Sequence, residues 1–353
     1  MEKALEVKLQ DGKKTNVLVA KDIKDLSRHL SAYGNNVLWV FDRNSASLFT
    51  SLPETSVVLE PGEIHKGWRS IEIILSAAVE YGLARDSIFI GFGGGVICDM
   101  TALASSLYMR GARLVLVPTT LLCMVDASVG GKTAIDFANA KNLIGSFYPA
   151  EEVLICTDTL RTLPENEYRS GLGEVVKHAF LTKNDDLYDF LMENRDKIMA
   201  RDRVTVAKMV ELSIAIKASF IEKDPTEKKG IRSFLNLGHT FAHALESSGN
   251  FSSFSHGKAV AWGVSRALEL GVLMKVTDQS YREKCDALLK AYKFDINYRI
   301  GRGDWISFYQ ALNKDKKKLS GEVKFVLMKG QGEPFLTPVD VSLLKKVVIT
   351  YYR

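Results

Sequence analysis

The stretch IFIGFGGGVICD at residues 88–99 decides the fold. Ile88, Phe89, Ile90 and Phe92 favour an extended strand, which runs into Gly93, Gly94 and Gly95. Apolar residues then recur at helical spacing over 98–108. Residues without side chains let the backbone come close to a pyrophosphate. The helix that follows offers free N–H groups and a partial positive charge. The strict dinucleotide fingerprint is not met, because Val96 stands where its third glycine would fall. A tight structural turn would use the same glycines.

Outward from this turn, short β-branched or aromatic runs at 37–41, 56–59, 87–92, 113–118 and 153–157 alternate with helical patterns such as 66–81. Such alternation predicts a parallel sheet with crossover helices, whose ligands collect at the carboxyl ends of the strands. Past about residue 160 helical periods dominate, at 173–182, 186–199, 203–222, 239–247, 257–275, 279–292 and 341–348. One alternating pair, 323–327 and 334–336, predicts a hairpin. The expected architecture is an α/β Rossmann-like N-terminal domain over 1–158 and a mainly α-helical C-terminal domain over 159–353.

Composition narrows the class. The chain has 353 residues, 46% apolar and 25% charged, enough for a sizeable core without disulfides or structural metal. A net charge of +5 suits an enzyme of anionic substrates and is too small to argue for nucleic acid. The run at 314–318 reads as a solvated turn. Cys98, Cys123, Cys156 and Cys285 are scattered, which fits a reducing cytoplasm better than a thiolate metal site or a secreted framework. No apolar signal core opens the sequence, and no run of about 18 apolar residues predicts a membrane span.

The segment VGGKT at 129–133 imitates a phosphate-binding P-loop, but Asp126 occupies the position of that motif's first glycine. Nucleotide hydrolysis is therefore not expected, although Lys132 could meet a substrate phosphate. His239, His243 and His256 lie close in sequence, and the first two share a helical face with Glu246. Two or three imidazoles and a carboxylate form a common catalytic zinc set, so these residues predict a metal site. Upstream, Glu174, Lys177 and His178 share another face; Glu174 and Lys177 would also suit an exposed ion pair. Lys217 sits in the apolar stripe Val206, Met209, Val210, Ile214, Phe220, Ile221 and must either reach solvent or meet an anion.

In order along the chain stand GGGVICD (93–99), YMRG (108–111), PTT (118–120), VD (125–126), VGGKT (129–133), KNLIG (141–145), GEVVK (173–177), Arg232 with LNLGHT (235–240), His256-Gly257, and DKK (315–317). This ordered set resembles the 3-dehydroquinate synthase family of sugar phosphate cyclases. The resemblance implies metal ligation by Glu174, His239 and His256, with Zn2+ the usual ion and Co2+ an alternative. It leaves His243 as a proton-transfer group. It implies NAD contacts at Asp42, Glu63, Lys66, Gly94, Gly95, Asp99, Thr119 and Thr120. Substrate phosphate would meet Lys132, Asn142, Lys316 and an Arg110 contributed across a homodimer. Lys217 and Arg232 would clamp a carboxylate, and Asp126, Lys177 and Asn236 would complete the substrate contacts, with Lys132, Lys177, Asn236 and His243 the catalytic group.

The implied reaction turns 3-deoxy-D-arabino-heptulosonate 7-phosphate into 3-dehydroquinate and phosphate by transient oxidation, elimination, re-reduction and aldol closure. Rival readings are another sugar phosphate cyclase, a metal- and NAD-dependent polyol dehydrogenase, or a binding-only relative. A carboxylate clamp at Lys217 and Arg232 argues against the first. Two departures stand out: Ala242 replaces the family's usual glycine between the histidines, and the stretch from Asp224 to Arg232 is one residue longer.

Overall fold

The computed structural model describes residues 1–9, 12–138, 140–248, 254–316 and 323–349, and side chains within the last helix turn at 314–316 fall outside it. The chain forms two compact units, Met1–Pro164 with Arg203–Lys228, and Glu165–Asp202 with Lys229–Arg353. The boundary expected at residue 158 thus lies at 164. The helix predicted at 203–222, assigned by sequence to the C-terminal domain, belongs to the first unit instead. Its stripe of Val206, Met209, Val210 and Ile214 is buried there, against the first strand and the turn at 123–127.

In the first unit the order is β1 (Glu2–Lys8), β2 (Lys14–Val19), α1 (Ile23–Ser31), β3 (Val37–Asp42), α2 (Arg43–Ala46), β4 (Ser56–Leu59) and α3 (Trp68–Glu80). Next come β5 (Ile88–Gly93), α4 (Gly95–Leu107), β6 (Arg113–Pro118), β7 (Ile135–Phe137), β8 (Ala140–Ile144) and β9 (Glu152–Ile155). Seven strands form one sheet in the order β1-β2-β9-β6-β5-β3-β4. Every pairing in it is parallel except β1 with β2. All five predicted strands are present. The β1–β2 edge pair escaped prediction because most β1 side chains are exposed, which blurs the alternation. β5 is buried along its whole length, as a central parallel strand covered on both faces must be.

From β3 the chain steps to β4 on one side, and from β5 through β6 to β9 on the other. The carboxyl ends of β3 and β5 therefore flank a topological switch point, where such sheets bind ligands. Asp42 ends β3 and the glycine turn ends β5. A Cβ at Gly93 would lie 2.8 Å from the Ile97 side chain, so glycine there lets α4 fold back tightly over the strand.

The second unit is mainly helical. It holds α5 (Glu165–Phe180), α6 (Asp186–Glu193) and α7 (Arg195–Met199); the chain returns to the first unit as α8 (Arg203–Lys223). It then completes the second with α9 (His239–Ser247), α10 (His256–Leu273), α11 (Gln279–Ala291), α12 (Trp305–Lys316), β10 (Lys324–Met328), β11 (Pro334–Pro338) and α13 (Val341–Val348). β10 and β11 form the predicted antiparallel hairpin. α10 is buried nearly all round, from Ala259 to Leu270, and so forms the centre of this unit.

Glycines bring α5 and α9 against α10. A Cβ on Gly173 would stand 2.2 Å from the carbonyl oxygen of Gly257, and one on Gly257 would stand 1.9 Å from that of Ser170. A Cβ on Gly263 would be 2.1 Å from the carbonyl oxygen of Gly238. Neither backbone can yield without moving its helix. Gly257→Ala is expected to cost about 1–3 kcal/mol or more by overpacking, read as a lowered denaturant midpoint. A midpoint equal to the parent's would show that these helices tolerate separation.

Candidate functional site

The first unit collects its predicted cofactor residues at the carboxyl edge of the sheet. Asp42 caps α2, accepting from the Ser45 N–H at 2.7 Å. Thr119 donates its N–H to the Gly93 carbonyl at 2.9 Å, tying the ends of β5 and β6 together. Glu63 is half-buried in the 3-10 turn Glu63–His65. Lys66 is buried, and its ammonium reaches Asp99 and Asn142, each at 2.6 Å. Burial pulls the Lys66 pKa down, but Asp99 more than offsets this and raises it. Burial pushes the Asp99 carboxyl up to about 6 against the pull of Lys66.

Gly94 and Gly95 differ from Gly93. A Cβ would meet the Thr120 side chain at 3.2 Å from Gly94, and only Ala127 at 3.5 Å from Gly95. Gly94 has an ordinary extended conformation, with φ −74. Packing and backbone strain thus make little demand for glycine at 94 and almost none at 95. No side chain caps α4. A cradle that a Cβ would fill, at an uncapped helix start, fits a dinucleotide pyrophosphate.

The expected substrate residues of this unit have different partners. Asp126 lies in a π-helical turn, Cys123–Ala127, and its carboxylate and carbonyl both accept from buried Lys217. Lys217 therefore does meet an anion, as its place in an apolar stripe requires, and that anion is supplied within the chain. Lys132 is exposed and pairs with Glu227, which the sequence reading did not single out. Lys132 continues as an extended bridge to Phe147 after Gly130 (φ 117) and Gly131 (φ 70), so those glycines make a backbone turn and no P-loop helix. Asn142, expected with the phosphate group, accepts from Lys66, which also reaches Asp99. Arg110 is exposed in a left-handed run with Met109 and Gly111 (φ 66, 47 and 124).

The second unit holds the metal-ligating cluster. Glu174 on α5, His239 at the start of α9 and His256 at the start of α10 bring one ligand atom each within 4.8 Å of one another. Both imidazole Nε2 atoms lie 3.3 Å from Glu174 Oε1. A tetrahedral ion with bonds of about 2.0–2.1 Å would separate its ligands by about 3.3 Å. Glu174 is fully buried, and among the described residues its Oε1 accepts no hydrogen bond. Its other oxygen accepts from Lys177, which is also buried, so this is no exposed ion pair. Burial pushes the Glu174 carboxyl up, but Lys177 and the two imidazoles hold it well below the usual carboxylate range. Burial pulls His256 down, and Glu174 and Glu246 reverse this, carrying it up to about 10. An orphaned carboxylate oxygen facing two nitrogens at ligand spacing fits a divalent ion.

His243 is exposed, its ring 5.4 Å from that of His239 and perpendicular to it, so it flanks the ligand set without joining it. Asn236 is exposed at the end of the turn Arg232–Asn236, whose Arg232 is buried. The side chain of Lys316 lies outside the described residues, as do residues 317 and 318 of the charged run. Ala242 is fully buried and α9 keeps its contact with α10, so the extra methyl is accommodated. Sequence reasoning missed Gly173, Gly238 and Gly257 as positioning elements. The signal was present: each proposed metal ligand has a glycine beside it.

The chain matches the families described as 3-dehydroquinate synthase N-terminal over residues 56–170 and 3-dehydroquinate synthase C-terminal over 171–318. It is 39% identical over 290 residues to the 3-dehydroquinate synthase of Francisella tularensis subsp. tularensis strain SCHU S4, covering 81% of this chain and 79% of that one. It is also 39% identical over 293 residues to a bifunctional 3-dehydroquinate synthase/phosphatase of Fusobacterium nucleatum, covering 83% of this chain but only 44% of that longer protein. Among solved structures it resembles a 2-deoxy-scyllo-inosose synthase complexed with carbaglucose-6-phosphate, NAD+ and Co2+ (TM-score 0.83, 22% identity, 97% of this chain and 98% of that one). A 2-epi-5-epi-valiolone synthase of Streptomyces hygroscopicus with NAD+ and Zn2+ is similar at TM-score 0.82 and 22% identity, covering 97% and 98%. A probable glycerol dehydrogenase of Sinorhizobium meliloti is similar at 0.62 and 16%, covering 94% of each. At these identities the structural likenesses establish the fold alone.

Two outcomes follow from the geometry. Gly95→Ala should leave thermal stability within about 1 kcal/mol of the parent, or slightly raise it, while weakening dinucleotide binding tenfold or more by calorimetry. Unchanged affinity would reduce the turn to a structural device. His239→Ala should weaken Zn2+ binding by more than about 100-fold in a chelator competition; full retention would dismiss the three-residue site.

Proposed function

The chain belongs to the 3-dehydroquinate synthase family, and on that premise we propose that it converts 3-deoxy-D-arabino-heptulosonate 7-phosphate to 3-dehydroquinate and inorganic phosphate. The observation that carries the proposal is the cluster of Glu174, His239 and His256, with ligand atoms at metal-binding separations and Lys177 against the carboxylate. The sequence relatives favour this substrate. They are named 3-dehydroquinate synthase at 39% identity, whereas the structurally similar synthases for other products are 22% identical.

When bound at Glu174, His239 and His256, a divalent ion supplies a Lewis acid that polarises substrate hydroxyls. When bound at the glycine turn, with Asp42, Glu63, Lys66, Asp99, Thr119 and Thr120 around it, NAD supplies a hydride acceptor that is regenerated within the cycle. Lys177 keeps Glu174 ionised. His243, exposed beside the ligand set, would move a proton at a substrate hydroxyl. Lys132, Arg110 and Lys316 would hold the phosphate and stabilise its departure electrostatically. Asn142 accepts from Lys66 through Oδ1, which leaves its Nδ2–H to donate to the phosphate.

Lys217 and Arg232 would bind the substrate carboxylate, with Asp126 and Asn236 among its other contacts. The Lys217–Asp126 pair changes the argument here. Asp126 already satisfies the buried ammonium, so burial of Lys217 does not by itself require an acidic substrate. The carboxylate clamp therefore rests on the family. A homodimer with Arg110 serving the neighbouring copy, and residence in the cytoplasm, belong to the same proposal. Among the described residues no helix is long and apolar enough to cross a membrane.

The test is phosphate release from the heptulosonate 7-phosphate with NAD and Zn2+, with absorbance of NADH followed in parallel. Stoichiometric phosphate and no accumulated NADH, with more than about 90% of the rate lost on chelation, is the expected result. NADH accumulating without phosphate would indicate a dehydrogenase. Phosphate released from sedoheptulose 7-phosphate or glucose 6-phosphate instead would indicate another cyclase.

A further inference from the structure

We propose that Glu246 is a positioning residue of the metal centre, orienting His256 for coordination. The inference rests on the metal-dependent part of the functional reading and deepens it. Glu246 stands on the face of α9 that carries His239 and His243, so by residue type it could itself be a ligand. The geometry gives it a different place. His256 turns Nε2 towards Glu174 Oε1 at 3.3 Å and Nδ1 towards Glu246 Oε1 at 3.1 Å. Glu246 thus accepts from the edge of the ring opposite the ligand cluster.

The two imidazoles are oriented by different means. His239 turns its Nδ1 to the main-chain carbonyl of Leu237 at 3.3 Å, an acceptor fixed by the backbone. His256 relies on a side chain. A carboxylate in this role fixes the Nδ1–H tautomer, leaves the Nε2 lone pair for the ion and raises the basicity of the ring. The position has a local cost that points the same way. Glu246 lies in the last turn of α9, where the helix dipole disfavours a carboxylate. A cationic centre beyond His256 would offset that.

Glu246 remains partly exposed, so its replacement leaves the core untouched. The experiment compares wild type, Glu246→Ala and Glu246→Gln, each stripped of metal. Zn2+ affinity is measured by competition with a chromophoric chelator, and Co2+ is added for its visible absorption spectrum. Metal-free melting temperatures check the fold; should Glu246→Ala melt early, Glu246→Leu, closer in volume, takes its place. Glu246→Ala should bind Zn2+ about 10–100-fold more weakly and shift the Co2+ bands. Glu246→Gln, whose amide oxygen still accepts from Nδ1, should recover most of the affinity and a spectrum near wild type. Wild-type affinity and spectrum in the alanine variant would overturn the proposal while leaving the metal centre standing. A wild type that binds neither ion would overturn both.

Discussion

Close contact between helix backbones is the constraint on which the candidate metal centre depends. Glu174, His239 and His256 come from three helices and cannot converge unless those helices touch without intervening side chains. Gly173 precedes the first ligand, Gly238 the second, and Gly257 follows the third. At each of these positions an added Cβ would fall within 2.6 Å of a backbone atom of another element. The glycines lose conformational entropy on folding and pack no side chain of their own. Their return is ligand placement: both imidazole nitrogens stand 3.3 Å from one carboxylate oxygen.

Buried charge follows a similar logic. Lys66, Lys177 and Lys217 are each at most 5% exposed, and each meets a carboxylate of its own unit: Asp99, Glu174 and Asp126. Ion pairs in such places cost desolvation that their attraction barely recovers, so a core built for stability alone would use apolar residues. What they provide is charge fixed in place before any ligand arrives, where little water remains to screen it. Glu174 shows the effect most clearly: Lys177 occupies one oxygen, which keeps the carboxylate ionised and leaves the other facing the imidazoles.

Much of this was legible in the sequence because periodicity reports burial. The five parallel strands and most long helices were predicted where they occur, α9 and α13 to the residue. Long-range placement was less accessible. The periodicity of α8 revealed its apolar stripe but not which unit would bury it. The i, i+3 spacing of Glu174 and Lys177 suits a surface pair or a buried one, and only packing on α10 decides between them. Residue types left Glu174, Glu246 and three histidines as candidate ligands; the family resemblance singled out Glu174, His239 and His256, and the structure brings those three together. Glu227 could not be found at all from periodicity, since its partner Lys132 is remote in sequence.

Glycines in this chain separate into two kinds, and the distinction bears on function more than their number does. Gly93, Gly173 and Gly257 are demanded by the fold, since a methyl group at each would collide with atoms within 2.8 Å. Gly94 and Gly95 are not: their contacts would be 3.2 and 3.5 Å, and neither adopts a left-handed backbone. Gly94 suits its place as the N-cap of α4, but Gly95 opens the helix itself, where alanine would favour the helix more, so an unforced glycine there points to a cause outside the chain. A ligand resting on the backbone is such a cause. A ligand at the switch point of the sheet would lie where β3 and β5 end, beside Asp42 and over the uncapped start of α4. The glycine turn therefore reads as a binding feature because its folding requirements are met at Gly93, before the turn reaches Gly94 and Gly95.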